Sequence, residues 1–256
     1  MKAIILAGGL GTRLREETEF RPKPMVEIGG KPILWHIMKN LSQHGLEDYV
    51  IATGYKSEII KDYFLNYQAK SGDFTVEIGS STAPKFHSSQ KNENWKVTVA
   101  DTGAESLTGE RVKRAAKYLD KGEPFLVTYG DGLADVDIKK LIEFHKSHKG
   151  LATVTAVRPV SRFGVLDLDE DNFVKEFKEK PKSNNWINVG YFVFDYEVLK
   201  FLDDGPLEGQ PLATLASEGN LAAYRHDGFW QPMDTIREAN LLNEIWSSGD
   251  APWKTW

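Results

Sequence analysis

The sequence predicts an α/β fold, a mostly parallel sheet covered on both faces by helices. Three observations carry that reading. Strand-like and helix-like segments alternate through the first 160 residues, the order that places helices over a parallel sheet. The segments Lys2–Ala7 and Phe125–Tyr129 are apolar runs of strand length, as strands in a sheet interior should be. After residue 160 the pattern changes to short strands parted by polar turns, which reads as a β-rich section appended to the core.

Element by element, Lys2–Ala7 is apolar and β-branched, a strand. Pro32–Gly45 places Ile33, Leu34, Ile37, Met38 and Leu41 at helical spacing, with proline at its start and glycine at its end. Tyr49–Thr53 is a strand. Ser57–Gln68 is a helix with Ile59, Ile60, Tyr63, Phe64 and Tyr67 on one face. Phe74–Ile78 and Val97–Asp101 are strands, Glu110–Leu119 is a helix and Phe125–Tyr129 is a strand. Val136–His148 is a helix and Ala152–Val157 a strand. In the later section Val165–Asp167, Phe173–Lys178 and Trp186–Phe194 are short strands, and Leu212–Ser217 and Thr235–Trp246 are helices. We therefore expect a single domain over 1–256, with a core over 1–160 and a second section over 161–256. Gly79–Trp95 is the longest polar stretch: a loop, a lid or a contact between subunits.

Composition narrows the function. The formal net charge is −5, which argues against a nucleic-acid polymer or an anionic membrane as the main partner. The chain has no cysteine, so thiol catalysis, disulfides and cysteine metal sites are out. No apolar run approaches the ~20 residues of a membrane helix, and the N-terminal run is too short for a signal peptide. The expected location is the cytoplasm.

In open α/β sheets ligands bind beyond the carboxyl ends of the strands. The first such end is Gly8-Gly9-Leu10-Gly11-Thr12-Arg13. A loop this bare lets backbone N–H groups approach a phosphate; it can equally be a plain strand-to-helix turn. A dinucleotide fingerprint would need glycine at Leu14, and no Gly-Lys-Ser/Thr follows for a P-loop. Arg13 shifts the balance, because a guanidinium forks onto phosphate oxygens. Lys23, between Pro22 and Pro24, is a cation on a stiffened backbone. Together they suit a polyphosphate.

The segments GGLGTRL, RPKPM and GGKPIL, between Ala7 and Leu34, resemble the signature of the sugar-nucleotide pyrophosphorylases, nucleotidyltransferases acting on sugar 1-phosphates. TGYKSEIIKDYF, KVTVADTG, TGERVKRAAKYL, VTYGDGLADVD, KEFKEKP, NVGYFVF, GFWQPMDT and PWKTW resemble the branch that makes CDP-glucose from CTP and glucose 1-phosphate, an activated sugar for deoxysugar and polysaccharide synthesis. The resemblance implies a Rossmann-like mixed sheet with a sugar-binding β-rich section, a Mg²⁺ cofactor and a homo-oligomer. It implies that Arg13 and Lys23 are catalytic. It also implies that Leu6, Ala7, Gly8, Gly9, Gly11, Thr12, Arg111 and Gly130 bind the nucleotide.

The remaining candidates each have a structural alternative. Asp131, between Gly130 and Gly132 at a strand end, can be a turn residue or a ligand for a hard cation. Asp234 can cap the last helix, yet Thr235 and Glu238 form a Thr-x-x-Glu capping box of their own, which would free it. By resemblance these two aspartates hold the magnesium. Glu179 and Lys180 read as a solvated edge turn; by resemblance Glu179 meets a sugar hydroxyl and Lys180 the sugar phosphate. Asn188 and Gly190 lie by the sugar in the same way, and Tyr129 is either a pocket wall or a core residue. The chain departs from the family pattern at Gln210, at Glu110 and in the short stretch Asp203–Gly209. UTP or dTTP in place of CTP, or a non-catalytic sensor of the same fold, remain alternatives.

Overall fold

The computed structural model describes residues 1–87, 93–161 and 163–256. Along the chain come β1 (Ala3–Ala7), α1 (Ile33–Gln43), β2 (Asp48–Thr53), α2 (Ser57–Leu65), β3 (Lys96–Asp101), α3 (Thr108–Ala115) and β4 (Phe125–Tyr129). The short β5 (Gly132–Ala134), α4 (Ile138–Ser147), β6 (Ala152–Val157), β7 (Val165–Leu168) and β8 (Val174–Lys178) follow. The chain continues with β9 (Ile187–Phe194), α5 (Gln210–Ser217), β10 (Leu221–Arg225), β11 (Trp230–Pro232) and α6 (Ile236–Ser247).

A seven-stranded sheet in the order β10-β6-β9-β4-β1-β2-β3 forms the centre. β1 pairs in parallel with β2 and β4, β2 with β3, and β6 with β10; β9 runs antiparallel to both its neighbours. The expected mixed, mostly parallel α/β sheet is therefore present. β1 shows why its sequence is apolar throughout: Ala3, Ile5 and Ala7 face one core and Ile4 and Leu6 the other. The first core is closed by Ile33, Leu34 and Ile37 of α1 and Leu242 of α6, the second by Val112 and Ala115 of α3 and Leu215 of α5.

Several expectations need correcting. The strand expected over Trp186–Phe194 does not belong to an appended section. As β9 it lies inside the main sheet, and residues 189–194 are buried. The β7–β8 hairpin does stand apart from the main sheet, with Val165, Leu166, Phe173 and Phe177 exposed. β10 was not anticipated: Leu-Ala-Ala-Tyr-Arg has neither β-branched residues nor alternation, and its place as an edge strand comes from pairing with β6. The strand expected over Phe74–Ile78 shrinks to Phe74–Thr75, paired with Lys85–Phe86. Within the polar stretch 79–95, residues 88–92 lie outside the described residues. Its end turns inward: Tyr67 Oη donates to Glu93 at 2.8 Å, and Trp95 packs on Tyr49. The tryptophan-rich tail is taken up by the chain's own core, with Trp253 fully buried against His36 and Trp246.

Candidate active site

The chain leaves β1 at Ala7 and enters the glycine loop over a buried support. The Gly8 carbonyl accepts from Tyr55 N at 3.1 Å and from Arg111 Nη2 at 2.9 Å. A Cβ on Gly8 would land on the Arg111 guanidinium, so the guanidinium's position demands glycine. Gly11 adopts the left-handed conformation, φ +64°. Its carbonyl accepts from Leu14 N at 2.9 Å and Thr18 Oγ1 at 3.1 Å, closing a turn over Thr12–Leu14 that projects Arg13 outward.

Lys23 comes from the opposite wall. Pro22 is extended, and Met25 N donates to the Pro22 carbonyl at 2.8 Å, so one tight turn follows it. Lys23 is only 8% exposed, yet it carries an ammonium. That ammonium lies 2.7 Å from Asp131 Oδ2 and 2.6 Å from Asp234 Oδ1. The other oxygen of Asp234 is 2.9 Å from Arg13 Nη1. Residues as far apart in sequence as Arg13 and Asp234 thus share one ion cluster.

A small ladder brings the aspartates together. β5 pairs antiparallel with β11, Gly132 opposite Pro232, and Met233 N donates to the Asp131 carbonyl at 2.8 Å. Asp131 and Asp234 thus flank the same end of the ladder. Its other end is held by Asp135 Oδ1, which accepts from Phe229 N at 2.6 Å and lies 2.9 Å from His226 Nε2. Thr235 caps α6: its Oγ1 accepts from Glu238 N, and Glu238 Oε2 accepts from Thr235 N and, at 2.8 Å, from Asp234 N. The cap needs no carboxylate from Asp234, which is left to face Lys23 and Arg13.

Above this cluster is a cavity of about 200 Å³ lined by Leu6, Ala7, Gly9, Gly11, Thr12 and Pro24 as well as the four charged residues. Gly130 is not part of the lining but adjoins it: its N–H donates to the Leu6 carbonyl at 2.9 Å, and a Cβ there would press on that carbonyl and Pro24. A second cavity of about 390 Å³ adjoins it, sharing Arg13, Asp131 and Asp234 and extending past Tyr129 and Asn188. Gly190, φ +83°, lies against the Tyr129 ring and donates its N–H to Asn188 Oδ1 at 2.7 Å. The Tyr129 hydroxyl is buried with no hydrogen-bond partner among the described residues. A larger cleft of about 510 Å³ on the β3 edge is lined, apart from Lys61 and Glu93, by apolar and aromatic side chains such as Phe64 and Trp95. With no strand end or glycine loop in it, it does not carry the chemistry.

Most predicted residues line one of the two cavities; Gly8, Gly130 and Gly190 adjoin lining residues without lining either cavity themselves, and Arg111, Glu179 and Lys180 lie apart from both. Arg111 is 4% exposed and lies beneath the loop, donating to the carbonyls of Thr53, Gly103, Gly8 and Ala104 and to Thr102 Oγ1. Burial lowers its pKa from the ordinary value. Glu179 and Lys180 sit at the end of the exposed hairpin, 3.7 Å from each other and outside both cavity linings. Lys180 has φ +47°, a conformation uncommon for lysine. Sequence reasoning missed Pro24, Trp230, Tyr191 and Glu208 as cavity walls. Trp230 had a signal: it lies on the strand that leads into Asp234. Glu208 had none; its carboxylate is held by Thr108 Oγ1 at 2.8 Å, across about 100 residues of sequence.

The family described as nucleotidyl transferase matches residues 2–231. Glucose-1-phosphate cytidylyltransferase of Salmonella typhi is 52% identical over the whole of both chains. The probable glucose-1-phosphate cytidylyltransferase of Bacillus subtilis is 43% identical, again over the full length of each. The solved structure of HddC from Yersinia pseudotuberculosis superposes with a TM-score of 0.68 at 27% identity, over 96% of this chain and 99% of that one. With an α/β sheet, a glycine loop and paired cations and carboxylates at its strand ends, the chain belongs to the nucleotidyl transferase family.

Proposed function

We propose that this enzyme transfers a cytidylyl group from CTP to α-D-glucose 1-phosphate, giving CDP-glucose and pyrophosphate. The observation that carries the reading is the meeting of Arg13, Lys23, Asp131 and Asp234 beside the glycine loop. The full-length likeness to glucose-1-phosphate cytidylyltransferase supports CTP and glucose over other pairs.

In this reaction a phosphate oxygen of glucose 1-phosphate attacks the α-phosphorus, a new P–O bond forms, and the bond to the β-phosphate oxygen breaks. The nucleophile is ionised before it binds, so no general base is required. Rate acceleration comes from alignment and from neutralising charge. Gly8, Gly9 and Gly11 let the backbone of Leu6–Thr12 come close to the nucleotide. Gly130 leaves room beside Leu6 and Pro24, and Arg111 shapes the glycine loop through the Gly8 carbonyl. Arg13, exposed at the cavity mouth, takes the departing pyrophosphate. Lys23 meets the charge growing at the α-phosphate.

Asp131 and Asp234 fit a Mg²⁺ ion. Their carboxylates already converge on a single cation, the Lys23 ammonium, and one or two carboxylates plus substrate phosphates make the usual magnesium donor set. When bound, the ion would neutralise the phosphates. Asn188 and Tyr129 line the second cavity and suit the sugar, with Gly190 packed against the Tyr129 ring. In this reading Glu179 meets a sugar hydroxyl and Lys180 the sugar phosphate, as the family resemblance implies; here both sit outside the two cavities. The reading includes a cytoplasmic protein that self-associates. No helix among the described residues is long and apolar enough to cross a membrane. The exposed Phe163, Phe173 and Phe177 favour association.

Competition among CTP, UTP, dTTP and GTP, each with glucose 1-phosphate and scored by pyrophosphate release, tests the reading. CTP should give the highest kcat/KM, with release dependent on both the sugar phosphate and a divalent cation. Preference for dTTP or UTP would reassign the nucleotide. Absence of release with every one of the four nucleotides would leave the sensor reading.

A further inference from the structure

We infer that Lys23 occupies the metal position in the nucleotide-free enzyme and thereby makes metal entry depend on the nucleotide. The inference rests on the nucleotidyl-transfer reading of the same site. It starts from the charge balance of the cluster. Asp131 and Asp234 contribute two negative charges, and Lys23 and Arg13 two positive ones, within ion-pair distance. The cluster is neutral as it stands. Lys23 is nearly buried and its ammonium bridges both carboxylates at 2.6–2.7 Å. A divalent ion drawn to the point where the two carboxylates converge would stand where the ammonium already is, against like charge, so the ammonium has to move away first.

The described residues supply no third ligand. Among them, no group of three or more His, Asp or Glu side chains could hold a metal. A lone divalent cation would have to displace a buried ammonium, leave it without a partner, and gain only two carboxylates in return. A nucleoside triphosphate changes that balance. Its phosphates bring negative charge to the glycine loop, directly beside Lys23 and Arg13. Those cations can then move onto phosphate oxygens and release the aspartates, while the same phosphates complete the metal's donor set. Lys23 thus moves from counter-ion in the free enzyme to phosphate ligand in the complex. The order that follows is nucleotide with metal, never metal first.

Binding of Mn²⁺ to the full-length protein, followed by the electron paramagnetic resonance signal of free Mn²⁺, tests this. Wild type alone should leave the signal nearly unchanged, and wild type with a non-hydrolysable CTP analogue should quench it well beyond what the same analogue, which chelates Mn²⁺ by itself, does without protein. Lys23→Gln should bind Mn²⁺ without nucleotide at least tenfold more tightly than wild type. Lys23→Arg, which keeps a cation between the aspartates, should behave like wild type. Tight Mn²⁺ binding by nucleotide-free wild type, or equal binding by wild type and Lys23→Gln, overturns the inference while leaving the transfer reading intact. Failure of the CTP analogue to recruit Mn²⁺ to wild type overturns both. Because the wild-type arm decides alone, the test survives a Lys23→Gln variant that does not fold.

Discussion

Gly8 and Gly9 are neighbours with opposite constraints. A Cβ at Gly8 would collide with the Arg111 guanidinium, whereas at Gly9 it would meet nothing within 4 Å. Gly8→Ala should therefore destabilise the protein by about 1–3 kcal/mol, the usual cost of overfilling a packed site. Gly9→Ala should leave stability nearly unchanged and act only on nucleotide binding. Thermal melts of the two variants check this, and equal losses would contradict it. The sequence shows a glycine-rich loop, but not which glycine is fixed by packing. That depends on Arg111, about 100 residues away, which the sequence offers as a nucleotide ligand and the fold places beneath the loop.

The decisive element is the β5–β11 ladder with the cap of α6. The Thr-x-x-Glu box is readable in the sequence, and its physical consequence holds: Thr235 caps, and Asp234 is free to pair with Lys23 and Arg13. The ladder itself was not legible, because three-residue strands such as Gly132–Ala134 and Trp230–Pro232 have too little pattern to detect. Thr235→Ala should cost about 1 kcal/mol and lower Tm by about 2–4 °C. Turnover should fall further than that loss implies, because Asp234 is itself a good cap and can be drawn into the vacancy. Thr235→Ser should restore both. A variant with lowered Tm and unchanged kcat would separate the cap from the site.

At the scale of the whole molecule, the alternation of apolar and helical segments made the α/β sheet legible. The place of β9 within it, and the fate of the tryptophan tail, were not. Both are set by contacts remote in sequence. The tail closes over His36, whose Nε2 lies 2.8 Å from the Ile28 carbonyl and whose Nδ1 lies 3.4 Å from Trp253 Nε1, which donates to it. Burial lowers the His36 pKa to about 4, and burial also lowers those of His44 and His145. The unfolded chain takes up a proton on His36 near pH 6.5, while the folded chain refuses it until about 4. Stability should therefore be complete above pH 6.5 and decline as pH falls toward 4, with His36 alone contributing roughly 3 kcal/mol by the end of that window. Tm measured across this range checks the slope, and a flat profile would contradict the buried, neutral imidazole.

The central claim is that Asp131 and Asp234, brought together by the ladder, serve one phosphate-transfer site with Arg13 and Lys23. Pyrophosphate release from CTP and glucose 1-phosphate by Asp131→Ala and Asp234→Ala, with Tm recorded on the same samples, addresses it most directly. Each variant should lose about 100-fold or more in kcat and keep a cooperative melt. Near-normal turnover in either, with the fold intact, would contradict the claim.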